Sequence, residues 1–315
     1  MGGYYIGIDI GGTKIAGAVV TDRGKILSWG KVTSPAKSSP KNIFLCLTDL
    51  IEELRVSSGV SASQIEGIGL GVPGIVDTRT NYILAAPNIN LTGFPLSAQL
   101  KKKYRKKVAM LNDVNAGLLG ESWLGAARGL QDVVGIFPGT GVGGAVLIDG
   151  KILLGTQGAA TELGHMILQV DGPICHCGNK GCLEALTSRW AIERDIRTLM
   201  KSGQKSVLHG DLSTIKSRLL KEALQKNDQV VSQVLKKVSN VLGQASVSIN
   251  HVFNPQAIVF GGGVIKACGF YMLPIIEKAL KADPFFKKFN SCRVLQSTLG
   301  DDAVILGAVK VVKSL

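Results

Sequence analysis

The sequence has no apolar run long enough to cross a bilayer. Its longest apolar segment, residues 133–148, is interrupted by Pro138 and five glycines, and a spanning helix needs about 20 mostly apolar residues. The N-terminus lacks a basic segment followed by a long apolar core, and Ile6 stands where a myristoylation signal has Ser or Thr. We therefore expect no membrane segment, no secretory signal and no lipid anchor.

Acidic residues are few relative to basic ones. The 23 Asp and Glu residues against 36 Lys and Arg give a formal net charge of +13, which makes an anionic partner worth considering. The densest basic run, KKKYRKK at 101–107, is followed directly by an apolar segment. Because no winged-helix, RNA-recognition or zinc-finger helix accompanies it, we expect a solvated helix end and no nucleic-acid partner.

The 315 residues, of which 45% are hydrophobic and 39 are glycine, suit an α/β protein of two domains. Periodicity and breaker residues predict strands that alternate with helices, which favours a largely buried mixed sheet. The predicted strands are 4–8, 16–20, 25–29, 65–72, 108–111, 133–137, 144–148 and 256–260. The predicted helices are 40–57, 95–105, most of 185–252, and 303–313.

Cysteines are scarce, six in all, and three of them fall within one short stretch at Cys175, Cys177 and Cys182. His165 precedes them. Thiolates and an imidazole are the ligands that tetrahedral Zn²⁺ prefers, and four such groups close a structural site. Redox-active or simply buried cysteines are the alternatives. We predict zinc bound by His165 and these three cysteines, with His176 directed away; clustered thiols without an export signal also predict the reducing cytoplasm.

Three glycine-rich turns follow predicted strands. Glycine allows backbone N–H groups to converge on phosphate oxygens, and a Thr hydroxyl adds a donor. The first two turns repeat one strand–turn–strand pattern, so two related halves are expected to face each other and clamp a triphosphate, while adenosine lies on the third turn. A simple hairpin for the first turn and a close packing contact for the third are the alternatives. The residues assigned to ATP and its Mg²⁺ are Asp9, Gly11, Gly12, Thr13, Lys14, Gly139, Thr140, Gly141, Gly261, Gly262 and Gly263.

Asp113 follows the predicted strand 108–111, at the strand end where side chains project into the cleft of an α/β domain. Phosphoryl transfer needs a carboxylate that accepts the proton of the attacking hydroxyl, which Asp113 could supply. Its alternative is an N-cap of the helix that begins near Asn115. Other polar side chains could hold sugar hydroxyls, with turn or helix-end roles as alternatives. They are Asn88, Asn90, Asn112, Glu162, His165 and Glu184.

Together the segments IDIGGTK, GLGVPGIVD, LNDVNA, GTGVGGA, VFGGGV and the stretch from TELGH to GCLE resemble the ROK family of sugar kinases and sugar-responsive repressors. The resemblance covers almost the whole chain. It implies an actin-like ATPase (ribonuclease H-like) fold, with two α/β domains flanking a cleft. We expect residues 1–114 and 301–315 to form the small domain, and 115–300 to form the large domain with the zinc loop.

The resemblance also implies roles for individual residues. Asp113 is then the catalytic base, His165 touches the sugar as well as zinc, and Gly74 is assigned to the sugar site. Asn112, Asp113, Glu162 and Glu184 become sugar ligands by position. Because the glycine turns are expected to lie away from His165, we predict that zinc loss weakens sugar binding far more than ATP binding.

The predicted activity is an ATP-dependent transfer of the γ-phosphate to a sugar hydroxyl, with the 6-OH of glucose as the first candidate. Another hexose or N-acetylmannosamine stays open, since Leu91 stands where many glucokinases of the family have Trp. A sugar-sensing regulator without catalysis is the rival. Family regulators carry a DNA-binding extension, whereas eight residues precede Asp9 here. A homodimer is implied by resemblance.

Overall fold

In the computed structural model, which describes residues 2–209, 212, 214–288 and 291–315, strands and helices alternate as predicted. The strands are β1 (Tyr4–Ile10), β2 (Lys14–Thr21), β3 (Ile26–Thr33), β4 (Ile65–Val72), β5 (Ile75–Asp77), β6 (Tyr82–Ala85), β7 (Lys107–Asn112), β8 (Val133–Pro138), β9 (Val142–Ile148), β10 (Lys151–Ile152), β11 (Ala257–Phe260) and β12 (Arg293–Gln296). The helices are α1 (Pro40–Ser58), α2 (Leu96–Tyr104), α3 (Asp113–Leu124), α4 (Leu183–Thr187), α5 (Arg189–Lys201), α6 (Ser217–Gln225), α7 (Gln229–Phe253), α8 (Gly262–Lys281) and α9 (Asp302–Lys313). None of the helices in these ranges combines the length and apolarity that a bilayer crossing requires.

The chain forms two compact units. The first comprises the N-terminal segment up to Gly129, Lys151–Thr161 and Asp301–Leu315, and the second comprises Leu130–Gly150 and Glu162–Gly300. A boundary at residue 114 would cut α3 after its second residue. The whole of α3 instead belongs to the first unit, because it packs along α9.

The sheet of the first unit has the strand order β3-β2-β1-β4-β7. β1 pairs antiparallel with β2 and parallel with β4, and β4 pairs parallel with β7. Helix α1 covers one face, where its Leu50 and Leu54 lie over Gly30 of β3. Helix α9 covers the other face and approaches closely enough that a Cβ on Gly69 would lie 1.9 Å from Ala308 O. Both faces are therefore buried, as the apolar runs of β1 and β4 predict.

The second unit repeats this topology. Its sheet contains the order β9-β8-β11-β12, in which β8 pairs antiparallel with β9 and parallel with β11, and β11 pairs parallel with β12. Its core is separate from that of the first unit and joins the strands to α7 and α8 through side chains such as Ile136, Phe260, Leu242 and Ile276. In each unit a glycine-rich turn connects the two antiparallel strands, so the internal similarity predicted from the sequence is present.

Candidate active site

The charge of Asp113 affects the ionisation of Asp9 in the first unit. Asp9 is the penultimate residue of β1, and Asp113 is the first residue of α3. Burial and then the charge of Asp113 raise the pKa of Asp9 to about 7, an effect that Lys14 partly offsets. Burial also raises the pKa of Asp113. Two half-buried carboxylates that resist joint ionisation suit a divalent cation or a proton acceptor.

Asn112, rather than Asp113, is the N-cap of α3. Its Oδ1 accepts hydrogen bonds from the backbone N–H groups of Val114 at 2.9 Å and Asn115 at 3.1 Å. Its Nδ2 donates to Gly74 O at 2.9 Å. The alternative of Asp113 as the cap is therefore wrong: the helix begins one residue earlier than that alternative needs, which leaves Asp113 inside the first turn, where its Oδ1 accepts one hydrogen bond from Val114 N–H.

Gly74 and the asparagines of the 86–94 segment have clear structural contacts. Gly74 has φ +107°, and a Cβ there would lie 2.0 Å from Ala85 O. The Asn90 side chain donates to Ser38 O at 3.1 Å, so Asn90 is held to the loop before α1. Asn88 lies against the first glycine turn, because a Cβ on Gly12 would be 2.8 Å from Asn88 O. These contacts place Asn88 beside the first turn; sugar binding by the three residues stays a prediction.

The first glycine turn joins β1 to β2. The backbone N–H of Gly11 donates to Lys14 O at 2.9 Å, and Thr13 is exposed at the tip. Lys14 Nζ forms an ion pair with Asp301 Oδ2 at 2.8 Å. Sequence analysis did not single out Asp301, since it lies 287 residues away from Lys14 and carries no motif of its own.

The second glycine turn joins β8 to β9 and is held by two residues that follow the cysteine loop. Glu184 Oε2 accepts the Val142 N–H at 3.0 Å, and a Cβ at Gly141 would lie 2.3 Å from the same oxygen, so a larger residue there would displace the Glu184 carboxylate. Arg189, another residue that sequence analysis missed, donates from Nη2 to Thr140 Oγ1 at 3.1 Å. A carboxylate and a guanidinium therefore brace this turn from its two ends.

The third glycine turn contains tight packing contacts. Gly261 is the N-cap of α8, and a Cβ on it would lie 2.6 Å from the Phe137 ring. Gly262 has φ +79°, and a Cβ on it would lie 2.5 Å from Pro138 O. The packing alternative thus holds for these two residues. Gly263 is more open, with Ser217 Oγ at 3.7 Å from its Cβ position, and adenosine binding there stays a prediction.

The four predicted zinc ligands come together. The ligand atoms of His165, Cys175, Cys177 and Cys182 all lie within 4.8 Å of one another. Cys177 Sγ is 3.7 Å from Cys182 Sγ, and Cys175 Sγ is 3.8 Å from His165 Nδ1. His176 instead stacks on Trp190 with ring centroids 4.6 Å apart, so it is directed away as expected.

The cluster has an uneven electrostatic environment. Burial raises the pKa of the Cys175 thiol to about 12, whereas a hydrogen bond from the Asn179 backbone lowers the pKa of the exposed Cys177. The Cys175 thiol also donates to Glu184 Oε1 at 3.6 Å. Glu184 thus links the cluster to the second glycine turn, and the expectation that the glycine turns lie apart from this cluster is wrong for that turn. Glu162 is exposed and begins the 3₁₀ turn Leu163–His165.

The repeated topology of the two units is that of the actin-like ATPase fold. A family model described as the ROK family matches residues 5–314. The chain therefore belongs to the ROK family.

Both kinases and repressors are among its relatives. The glucokinase of Thermotoga maritima is 34% identical over 98% of this chain and 96% of its own length. The xylose repressor of Bacillus subtilis is 28% identical over 98% of this chain and 77% of its own length. A crystal structure of a ROK family glucokinase from Streptomyces griseus, in complex with glucose and AMPPNP, superposes with a TM-score of 0.83 at 30% identity, covering 99% of this chain and 100% of that chain.

Proposed function

We propose that this protein is an ATP-dependent hexose kinase that transfers the γ-phosphate of ATP to a sugar hydroxyl, with the 6-OH of glucose as the first candidate. The carrying observation is the pair of half-buried carboxylates with raised pKa values, Asp9 and Asp113, next to a glycine turn in an actin-like fold. The glucokinase relatives support the same reaction, and the complex of a relative with glucose and AMPPNP supports both substrates.

In this proposal the two carboxylates have different tasks. Asp113 accepts the proton of the attacking sugar hydroxyl, for which its raised pKa makes it a stronger base than an ordinary aspartate. Asp9 holds Mg²⁺ through water, an assignment that fits a carboxylate whose ionisation is opposed by burial and by Asp113. The metal, when bound, offsets charge on the phosphate oxygens. The turns at Gly11–Thr13 and Gly139–Gly141 contact those oxygens through backbone N–H groups, and Gly261–Gly263 contacts adenosine.

The sugar is proposed to lie among Asn88, Asn90, Asn112, Glu162, His165 and Glu184, with Gly74 behind Asn112. Amide and carboxylate groups can donate to and accept from several hydroxyls of one ring. A different hexose or N-acetylmannosamine is the alternative substrate, since these groups do not by themselves select one ring configuration.

The cysteine cluster is proposed to be a structural zinc site. With Zn–S bonds of about 2.3 Å, two sulfur ligands of a tetrahedral ion lie about 3.8 Å apart, which agrees with the 3.7 Å between Cys177 and Cys182. Four protein ligands leave no position for water, so the ion would serve the fold and the orientation of His165 rather than the reaction.

A coupled assay of ADP release tests the activity over a panel of hexoses and N-acetylhexosamines, with Mg²⁺ and ATP. We expect saturable ADP formation that depends on both the sugar and Asp113. If no sugar in the panel supports turnover, calorimetric titration of the same sugars follows. Sugar binding without ADP formation would replace the kinase with a sugar-sensing regulator, the second candidate that the xylose repressor relatives favour.

A further inference from the structure

The guanidinium of Arg189 stands at the second glycine turn. Its Nη2 donates to Thr140 Oγ1 at 3.1 Å, and the Arg189 backbone N–H donates to Gly139 O at 2.9 Å. We propose that Arg189 binds the phosphate chain of the nucleotide at this turn, an inference that rests on the proposed function. It adds a cation to a turn for which the sequence offered only backbone amides and a hydroxyl.

The Arg189 side chain has more N–H donors than its contacts use. A guanidinium carries five N–H groups in a fixed fork. One points to Thr140 Oγ1, and Nε lies 3.4 Å from Glu193 Oε1. No further acceptor for this side chain occurs within the described ranges, and 31% of it is exposed. N–H groups on both terminal nitrogens are therefore available to an oxyanion that enters from solvent.

Glu193 positions the Arg189 guanidinium but does not neutralise it completely. The Glu193 side chain is only 8% exposed, and its carboxylate also accepts the Ile215 N–H at 3.1 Å and lies 3.9 Å from the Arg197 guanidinium. One buried carboxylate is thus shared between two arginines and a backbone amide. Arg189, Arg197 and Glu193 together keep one positive charge, and the Glu184 carboxylate lies at the opposite end of the turn, so the Arg189 end suits a polyanion.

The alternative is a purely structural role, in which the Arg189 side chain only supports the second glycine turn. The backbone bond from Arg189 to Gly139 already attaches α5 to the turn and does not depend on the side chain. The two roles differ in one measurable respect. If Arg189 only supports the turn, its loss should weaken the binding of adenosine and of its nucleotides by the same factor. If Arg189 binds phosphate, its loss should weaken only the binding of compounds that carry phosphates.

The test compares Arg189→Gln and Arg189→Lys with the wild-type protein. Dissociation constants for adenosine, AMP, ADP and AMPPNP are measured by calorimetry in Mg²⁺ buffer. We expect Arg189→Gln to weaken AMPPNP about tenfold or more, as for a lost charge-assisted bond, and to leave adenosine within about twofold. Arg189→Lys keeps the charge but loses the fork, so its loss should be smaller. The ATP KM should rise in parallel while the hexose KM stays unchanged.

Arg197→Gln is the matched control, because it removes the same charge from the same helix and also releases Glu193, yet Arg197 makes no contact with Thr140. The proposal is overturned if adenosine and AMPPNP weaken by the same factor, if AMPPNP affinity does not change, or if Arg197→Gln reproduces the effect. Thermal melting shows whether each variant folds. If Arg189→Gln does not fold, the affinities of Arg189→Lys alone test the proposal. If the wild-type protein binds AMPPNP but phosphorylates no sugar, the kinase proposal is wrong. The affinities of the Arg189 variants would still test whether Arg189 binds phosphate.

Discussion

Asp113 can lose its charge without loss of its local structure. In Asp113→Asn, the side-chain oxygen still accepts the Val114 N–H that Asp113 Oδ1 accepts at 2.9 Å, and the cap at Asn112 is untouched. We expect kcat to fall by about 10²-fold or more, because the proton acceptor is gone. Steady-state kinetics give kcat, and thermal melting with and without hexose shows whether the sugar still protects the protein.

Asp49→Asn is the control for this change, since it removes one carboxylate from an exposed position of α1 in the same unit. Its kcat should equal that of the wild type. An Asp113→Asn enzyme that turns over as fast as this control would remove Asp113 from the role of base.

Individual site residues were predictable where the residue type and the spacing carry the chemistry. The clustering of the cysteines with His165 was predictable because few groups bind zinc, and the position of Asp113 after a strand was predictable from the apolar run before it. Arg189 was not predictable: its contact with Thr140 spans 49 positions and exists only because α5 begins at the glycine turn. The choice between Asn112 and Asp113 as helix cap depended on a one-residue boundary, which sequence patterns do not resolve.

At the scale of elements, the start of α7 depends on a carboxylate that accepts three hydrogen bonds. Asp228 Oδ1 accepts the Val231 N–H at 2.9 Å, and Oδ2 accepts the Val207 N–H at 2.6 Å and the Ser206 hydroxyl at 2.7 Å. Burial raises the pKa of Asp228, but these bonds outweigh burial and hold it below its ordinary value. Such a group adds stability above its unfolded pKa of about 3.9 and loses it as the pH falls through the lower folded value.

Asp228→Asn should therefore lower the free energy of unfolding by about 1–3 kcal/mol near neutral pH, since the amide cannot accept at both oxygens. Urea unfolding at a series of pH values measures the difference from wild type. We expect the difference to stay constant above about pH 5 and to shrink as the pH falls below about 4 and through the lower folded pKa. A difference that also stays constant through that lower pKa would mean that the charge of Asp228 contributes nothing.

Helices α3 and α9 depend on glycine for their close approach. A Cβ on Gly307 of α9 would lie 1.7 Å from Ala116 O, a backbone atom of α3 that can move only with its helix. Gly307→Ala should lower the free energy of unfolding by about 1–3 kcal/mol, as overpacking does. Equilibrium denaturation measures this loss.

Gly117→Ala on α3 is the matched control, because the added Cβ would have its nearest contact at an ordinary 3.8 Å from Val304. Helix propensity alone should then make this variant more stable, by up to about 1 kcal/mol. Equal effects of the two substitutions would contradict the close-approach argument.

Most long elements were easier to predict than short ones, although no bounds were predicted for the 20-residue helix α8. β1, β4 and α1 show their period over seven or more residues, and the structure confirms them within about two residues. β5, β6, β10 and β12 were missed, since strands of two to four residues contain too few repeats for a period to appear.

At the scale of the whole molecule, the repeated topology was visible in the sequence because both units begin with a strand, a glycine turn and a second strand. The unit boundaries were not, because residues 115–129, with most of α3, belong to the first unit through the packing of α3 along α9, a helix far away in the chain. Hydrophobic periodicity indicates which face of an element is buried, but not which distant element packs against that face.

Glu184 connects the cysteine cluster to the second glycine turn, because it contacts both Cys175 and Val142 N. We expect metal analysis of the purified protein to find about one zinc per chain. Cys177→Ser should lower both the zinc content and the melting temperature, whereas Cys46→Ser, which alters a thiol in the first unit, should keep the zinc. Zinc-free protein with full activity and unchanged melting would contradict a structural role.

Metal loss should affect both substrates, though unequally. A released His165 imidazole loses its fixed orientation in the proposed sugar site, so the hexose KM should rise most. Glu184 then loses its ordered neighbour Cys175 but keeps its bond with Val142 N, so the ATP KM should rise by a smaller factor. Separate titrations of hexose and ATP after chelation, and again after zinc is restored, measure the two effects. If the ATP KM stayed unchanged while the hexose KM rose, Glu184 would not couple the two sites; if the two rose equally, the metal would stabilise the second unit without any special connection to the sugar.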